Sequence, residues 1–333
     1  MNATVSVVIP CRNEEKHIEH CVRSILTNGY PMELLEILII DGESSDKTVE
    51  IIKKLQNEFS QVKLVNNPKK VTPVALNLGI QNASSEFTLI ASAHSSFEKN
   101  YISILVNQIQ NLPNVIAVGG IMHTKIKNIT SISLAIQAVL THPFGVGNSV
   151  FRIGTNEIRE VDTVPFGLYK SNLLKSSGGY NEKLIRNHDM ELSKRLTRIS
   201  NGKIYLIPEA ECNYFARENY SLLSKNNYGN GKWNILTVFI TKTFSSLSIR
   251  HFIPLFFLLS ILLPLFISFI WFPFIYLSLL SFLFYTLAMA YFSIKLKSKS
   301  PNIFFNLMTF YVLHLSYGMG SLVGVFQIPF QKK

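Results

Sequence analysis

The chain has 333 residues, enough for one large or two ordinary soluble domains, and carries 32 Lys and Arg against 21 Asp and Glu, a formal net charge of +11. Every acidic residue lies before Arg250, and no Asp, Glu, Lys or Arg occurs between Arg250 and Lys295, so the tail needs lipid and an entirely soluble protein is excluded. The positive surplus favours anionic partners, whether phospholipid headgroups, sugar nucleotides or nucleic acid, but the basic residues form no aromatic-interleaved stripe, which argues against nucleic acid.

Short β-branched runs, Val5 to Pro10, Leu35 to Asp41, Val62 to Asn66 and Phe87 to Ala91, alternate with stretches of period near 3.6. This βαβα order predicts an α/β fold with a mainly parallel sheet covered on both faces. Asp46 is placed to cap a helix holding Val49, Ile52 and Leu55, and Thr72-Pro73 reads as a cap followed by proline at the first helical position. Ligands of such sheets sit where strands end and loops begin. The polar groups to read are therefore Cys11-Arg-Asn-Glu14, Asp41-Gly-Glu-Ser-Ser-Asp46 and Ser92-Ala-His94. The three cysteines, Cys11, Cys21 and Cys212, have no metal-ligand spacing and fit a reducing compartment. The opening apolar run is too short and too uncharged at its start for a signal peptide.

Three regions are expected: a globular domain over 1–219, an amphipathic interfacial linker over 220–250 and a membrane region over 251–333. Residues 252–270 hold fifteen Leu, Ile, Phe or Val and predict a spanning helix; Trp271-Phe-Pro273 reads as an interfacial turn and 274–294 as the return. The basic loop Lys295-Leu-Lys-Ser-Lys299 is then cytoplasmic by the positive-inside bias, and so is the front domain. A third apolar stretch, 303–326, is interrupted by Asn306, His314, Ser316 and Gly318, Gly320 and Gly324, and either spans or lies in the interface. The final Lys332-Lys333 argues against sending the terminus outward.

Val7-Val-Ile-Pro-Cys-Arg-Asn-Glu14 followed by Ile39-Ile-Asp-Gly-Glu-Ser-Ser-Asp46 resembles the nucleotide-binding half of a family 2 glycosyltransferase of the GT-A type. The likeness continues in order through Thr72–Ile80, Pro143–Asn148, Val161–Gly167, Gly178–Glu182 and Arg186-Asn-His-Asp-Met-Glu191. Among its members the chain resembles membrane-anchored bacterial succinoglycan-type glucosyltransferases. The resemblance implies a nucleotide-diphosphate sugar as donor, a lipid-linked saccharide as acceptor, and exopolysaccharide or cell-surface glycan synthesis as the setting.

It also implies roles. Asp41 would accept a hydrogen bond from a uracil N–H, with Pro10, Asn13, Glu14 and Asn77 around the nucleotide; Asp41-Gly42 is also a plain turn on its residues alone, as Asp46 is a plain cap. Inverting transfer needs a positioned base for the acceptor hydroxyl, and Asp189 matches it, although an Asp at a helix start is also a good cap. His188 stands where many relatives have Glu, and is expected near base or acceptor. Ser92-Ala93-His94 stands where relatives hold a divalent cation with Asp-x-Asp or Asp-Ala-His. Serine is a poor ligand for Mg2+. Three outcomes stay open: His94 holds the metal with phosphate and water, favouring Mn2+ over Mg2+; basic side chains neutralise the diphosphate instead; or the protein is inactive. Gly229-Asn-Gly-Lys-Trp233 replaces the Gln-x-x-Arg-Trp signature of polymer-extruding relatives, leaving Lys232 and Trp233 as acceptor or diphosphate contacts and single-sugar transfer as the expected outcome. Two other readings remain: a polyprenyl-phosphate glycosyltransferase, and a non-catalytic scaffold in a polysaccharide assembly.

Overall fold

The computed structural model of the chain describes residues 3–147, 149–244 and 249–330. Asn148, which ends one of the motifs above, and Lys332-Lys333 lie outside them. The strands are β1 (Val5–Cys11), β2 (Leu35–Asp41), β3 (Val62–Asn66), β4 (Phe87–Ile90), β5 (Ser95–Phe97), β6 (Val115–Lys125), β7 (Arg159–Glu160), β8 (Leu168–Lys170) and β9 (Lys203–Phe215). The helices are α1 (Ile18–Leu26), α2 (Thr48–Glu58), α3 (Thr72–Asn82), α4 (Tyr101–Asn111), α5 (Ser131–Leu140), α6 (Pro143–Val146), α7 (Val150–Ile153), α8 (Ser171–Ser176), α9 (His188–Ser200), α10 (Tyr220–Thr241), α11 (Ile253–Ile267), α12 (Phe274–Lys295) and α13 (Ile303–Gln327). They divide into two compact units, Met1–His123 with Val150–Phe215, and Thr124–Ser149 with Ala216–Lys333. The second unit thus draws in Thr124–Ser149 from the middle of the segment expected to form one globular domain.

The first unit is built on a sheet of order β3-β2-β1-β4-β8-β6-β9-β5, with β7 beside β9. Its first four strands are parallel, with Val5 opposite Leu35 and Phe87, and Ile37 opposite Val62. Beyond them β8 runs antiparallel to both β4 and β6, so the sheet is mixed rather than uniformly parallel. Alternation puts Val5, Val7 and Ile9 with Ile37 and Ile39 on the face covered by α1, α2 and α4. Val8, Leu38 and Ile40 face the opposite layer, where Ala75, Leu76, Leu174, Leu192 and Leu196 of α3, α8 and α9 close the core. Burial on both faces is why β1 and β2 read as nearly unbroken apolar runs. Gly79 of α3 lies so close to β1 that an added Cβ would meet Val8 Cγ1 at 2.2 Å.

Helix starts differ in detail from the sequence expectation. Asp46 stands one residue before the cap position, yet its Oδ1 accepts from the Thr48 N–H at 3.0 Å and so serves the same donor. Thr72 is itself the first helical residue, with Pro73 next.

The second unit packs α13 against α5, α10, α11 and α12. α12 and α13 are long and apolar enough to cross a membrane. At about 1.5 Å per residue, α11 reaches about 22 Å, short of a hydrocarbon core of about 30 Å. The first apolar stretch, expected as a full span over 252–270, is therefore a 15-residue helix that breaks into turns before Trp271. The third stretch, whose polar residues and glycines left it open, is instead one continuous helix of 25 residues. Several of its polar groups find partners within the unit: Asn306 donates to the Ser293 and Ser300 carbonyls, though its Oδ1 accepts nothing among the described residues, and His314 lies between the Tyr285 hydroxyl and the Phe144 carbonyl. Its glycines admit neighbours, since a Cβ on Gly320 would sit 2.0 Å from the Tyr228 carbonyl of α10, and one on Gly318 2.6 Å from that of Pro254 in α11. Helices in lipid pack through small residues in this way.

Candidate active site

β1 has β2 on one side and β4 on the other, all parallel, so the chain's winding reverses at β1. A crevice opens beyond strand ends at such a reversal, and it is the preferred ligand position of open α/β sheets. The three polar loops picked out in the sequence all leave the sheet here.

The loops after β1 and β2 are knitted together. Asn13, held at φ +57°, donates its N–H to Ser44 Oγ at 2.8 Å and accepts the Ser45 N–H on Oδ1 at 2.8 Å. The N–H of Glu14 donates to Thr48 Oγ1 at 2.7 Å, and that of Glu15 to Asp46. Asp41 is 4% exposed and accepts the Ser44 N–H at 3.0 Å, the Ser44 hydroxyl at 2.5 Å and the Cys11 thiol at 3.7 Å. Burial, then the Asp41 carboxylate, push the Cys11 thiol well above its ordinary range, which keeps it a neutral donor. Asp41 in this state organises its own loop, while Pro10 stands half-buried at the end of β1.

On the other side of β1, His94 Nε2 lies 2.9 Å from Glu14 Oε1, and the His17 and His94 rings are 4.4 Å apart. The donor atoms of Glu14, His17 and His94 all fall within 4.8 Å of one another. Ser92 sits in the turn beneath, its Oγ accepting the His94 N–H at 3.4 Å and its carbonyl accepting from Ser95 Oγ. Glu14, expected beside the nucleotide, is thus paired with His94. His17 was absent from the sequence-derived site; its signal is the Glu14-x-x-His17 spacing, one helical turn, at the start of α1. Two imidazoles with one carboxylate suit a transition-metal ion. Such an ion, when bound, would neutralise charge on a leaving diphosphate.

Asp189 occupies the first turn of α9 with its side chain 61% exposed, its Oδ1 3.6 Å from His188 Nε2. His188 is only 13% exposed and sets its ring edge-on to Tyr180 at 5.5 Å, so it touches the expected base more than open solvent. Burial, then the Asp189 charge, hold the Tyr180 phenol well above its ordinary range and keep it a proton donor. α9 is pinned from beneath. Arg195 grips the buried Glu191 at 2.8 and 3.1 Å and donates to the Ser177 and Gly179 carbonyls. Asn77 donates to the Tyr180 carbonyl at 2.9 Å and to Glu182, and accepts the Tyr180 N–H at 2.7 Å. With its amide engaged on both sides, Asn77, expected near the nucleotide, braces the Gly178–Glu182 loop. Gly179, at φ +69° and with Asn77 Oδ1 2.4 Å from any added Cβ, is required there. Lys232 and Trp233 lie on α10 of the second unit, both partly buried.

An open α/β sheet with polar loops gathered at its reversal point suits a nucleotide ligand, and the fold is shared with GT-A glycosyltransferases. A mannosyltransferase from Pyrobaculum calidifontis, solved with GDP-Man and Mn2+, superposes over 98% of this chain and 88% of its own, with TM-score 0.61 at 14% identity. The family profile "Glycosyl transferase family 2" matches residues 6–147. A dolichyl N-acetyl-α-D-glucosaminyl phosphate 3-β-D-2,3-diacetamido-2,3-dideoxy-β-D-glucuronosyltransferase of Methanococcus voltae is 31% identical over 252 residues, 71% of this chain and 77% of the relative. Succinoglycan biosynthesis protein ExoA of Rhizobium meliloti is 26% identical over 231 residues, 68% and 67% of the two chains. The chain belongs to the family 2 glycosyltransferases, enzymes that act on nucleotide sugars.

Proposed function

We propose that this enzyme moves a single hexose, with inversion, from a nucleotide-diphosphate sugar such as UDP-glucose to a lipid-linked saccharide at the cytoplasmic face of a membrane. The observation that carries this reading is the carboxylate of Asp189, exposed at the start of a helix that Arg195 and Glu191 hold to the loop before it. An acceptor hydroxyl brought to it loses its proton to Asp189 as the oxygen attacks the anomeric carbon, and the nucleoside diphosphate leaves from the opposite face. His188, buried beside Asp189, orients that carboxylate. The loops of Asn13 and Asp41 form the wall toward the base, and Asp41 meets a base N–H once Ser44 gives up its hydrogen bond.

Two further facts support the acceptor class. The Methanococcus voltae relative is named for transfer onto a dolichyl-linked sugar, and α12 and α13 supply helices of membrane-crossing length. An acceptor confined to the bilayer meets a tethered enzyme at raised effective concentration. That relative's donor is a diacetamido uronic acid, so the donor pocket is tested across uronates as well as neutral hexoses.

The test is a donor screen on the purified full chain with UDP-, GDP- and dTDP-sugars, with and without a lipid-linked saccharide, under Mg2+, Mn2+ or chelator. Acceptor-dependent release of one nucleotide per sugar transferred is expected. Transfer to undecaprenyl phosphate alone would replace this reading with lipid-phosphate glycosylation, and failure to bind any nucleotide sugar would leave a scaffold.

A further inference from the structure

Ser92 removes a carboxylate from the place where the family resemblance puts a metal ligand, and its hydroxyl is engaged within the turn. The structure offers a different donor set a few ångströms away. Glu14 and His17 are one turn apart at the start of α1, where the His17 N–H donates to the Glu14 carbonyl at 2.9 Å. α1 is seated by fully buried Ile18 and by Cys21, whose thiol donates to the Ser92 carbonyl at 3.3 Å. That contact ties α1, into which the turn of Glu14 and His17 leads, to the turn carrying His94. The three donors are held by fixed backbone, and side-chain rotation alone brings atoms already within 4.8 Å onto one ion.

We propose that Glu14, His17 and His94 form a three-ligand site for a borderline divalent cation of the Mn2+, Co2+ or Zn2+ type, and that it discriminates against Mg2+. Imidazole suits transition metals, whereas Mg2+ demands near-octahedral oxygen and gives up water reluctantly. One carboxylate against a dication leaves the site net positive, with positions open to phosphate oxygens. What the ion does in catalysis rests on the sugar-nucleotide reading; its binding does not. The site lies at the reversal between β1 and β4, so a diphosphate bound in that crevice reaches it without crossing the wall formed by Asn13 and Asp41.

The test uses the untagged full chain in detergent without nucleotide. Mn2+ is followed by loss of the free-ion electron paramagnetic resonance signal, and Co2+ by its visible absorption. Binding of about one equivalent is expected, persisting in a large excess of Mg2+. His17→Ala and Glu14→Gln each weaken it by about tenfold or more, while His20→Ala, an exposed histidine on the same helix, leaves it unchanged. The folding control is the melting midpoint: His17→Ala keeps the metal-free value and loses the rise that Mn2+ gives the parent chain. Absence of binding, equal binding by His17→Ala, or displacement by equimolar Mg2+ overturns the proposal. Mn2+ binding with no donor turned over keeps the site and ends the sugar-transfer reading; turnover with no Mn2+ binding does the reverse.

Discussion

The two units solve opposite packing problems with the same residue types. In the first, Ile37 and Ile39 are fully buried and the loops are held by hydrogen bonds between side chains and backbone, as at Asn13, Asp41 and Asn77. In the second, Phe269 is 83% and Ile270 92% exposed, and helices approach through Gly231, Gly318 and Gly320. Large apolar side chains are mostly buried in the first unit, whereas in the second a small core around Met289, Phe310 and Leu313 is accompanied by many that stand exposed. Water drives the first arrangement; in lipid that force between helices is gone and close backbone approach takes its place.

The sharpest way to break this contrast is to ask whether chemistry belongs to the first unit. Asp189→Asn should lower turnover by about 10²- to 10⁴-fold with donor affinity kept, measured as initial rates and nucleotide binding on the same preparation. A small loss would mean that the acceptor needs no base, as a lipid phosphate does, and would move the decisive groups elsewhere.

Next in size are paired glycine substitutions, one per unit. In the second, Gly320→Leu forces a side chain into the Tyr228 carbonyl, a backbone atom that cannot swing aside, and should destabilise by about 3 kcal/mol. In the first, Gly79→Ala meets the Val8 methyls, which have some freedom, and about 1–3 kcal/mol is expected. Melting midpoints of the full chain in detergent report both. Equal effects would show that α10 and α13 yield as readily as a water-driven core does.

These glycines also mark what the sequence could not reveal. Strands β1 to β4 were legible to within a residue, because a parallel sheet buried on both faces writes unbroken apolar runs ending in polar loops. The strand order was not. That β1 lies between β2 and β4 depends on pairing between segments some eighty residues apart, and only this order brings His17 and Glu14 to His94. Gly318, Gly320 and Gly324 look like helix breakers in a linear reading, since their value lies in Tyr228, Pro254 and Lys232 across the interface. Composition found the tail but overextended its first helix, because counting Leu, Ile and Phe does not locate the turn before Trp271. The motif around Asp189 stands in the sequence, whereas the bonds of Asn77 to Tyr180 and Glu182 that brace the loop before it join residues over a hundred positions apart.

The smallest expected effect tests the electrostatic side of the first unit. Glu36 is 8% exposed near the start of β2, where it accepts the Ser6 hydroxyl at 2.6 Å, Lys63 at 2.7 Å and the Ser84 N–H at 3.1 Å. Burial opposes its ionisation, but the bonds from Lys63, Ser6 and Ser84 outweigh it and hold the carboxyl below its ordinary value of 4.5. A carboxyl lowered on folding adds stability above its unfolded value, and that stability fades as pH falls through the lowered one. Lys63 is 58% exposed and adds little, so Glu36→Gln should cost about 1.5 kcal/mol near neutral pH, mainly through the bonds from Ser6 and Ser84. The gap between the two proteins should begin to narrow as pH falls below about 4.5 and close only below the lowered value, where the folded parent's carboxyl is as neutral as glutamine. A gap that stays constant down to strongly acid pH would place the cost in shape and packing, and leave charge with no part in holding β2 to its neighbours.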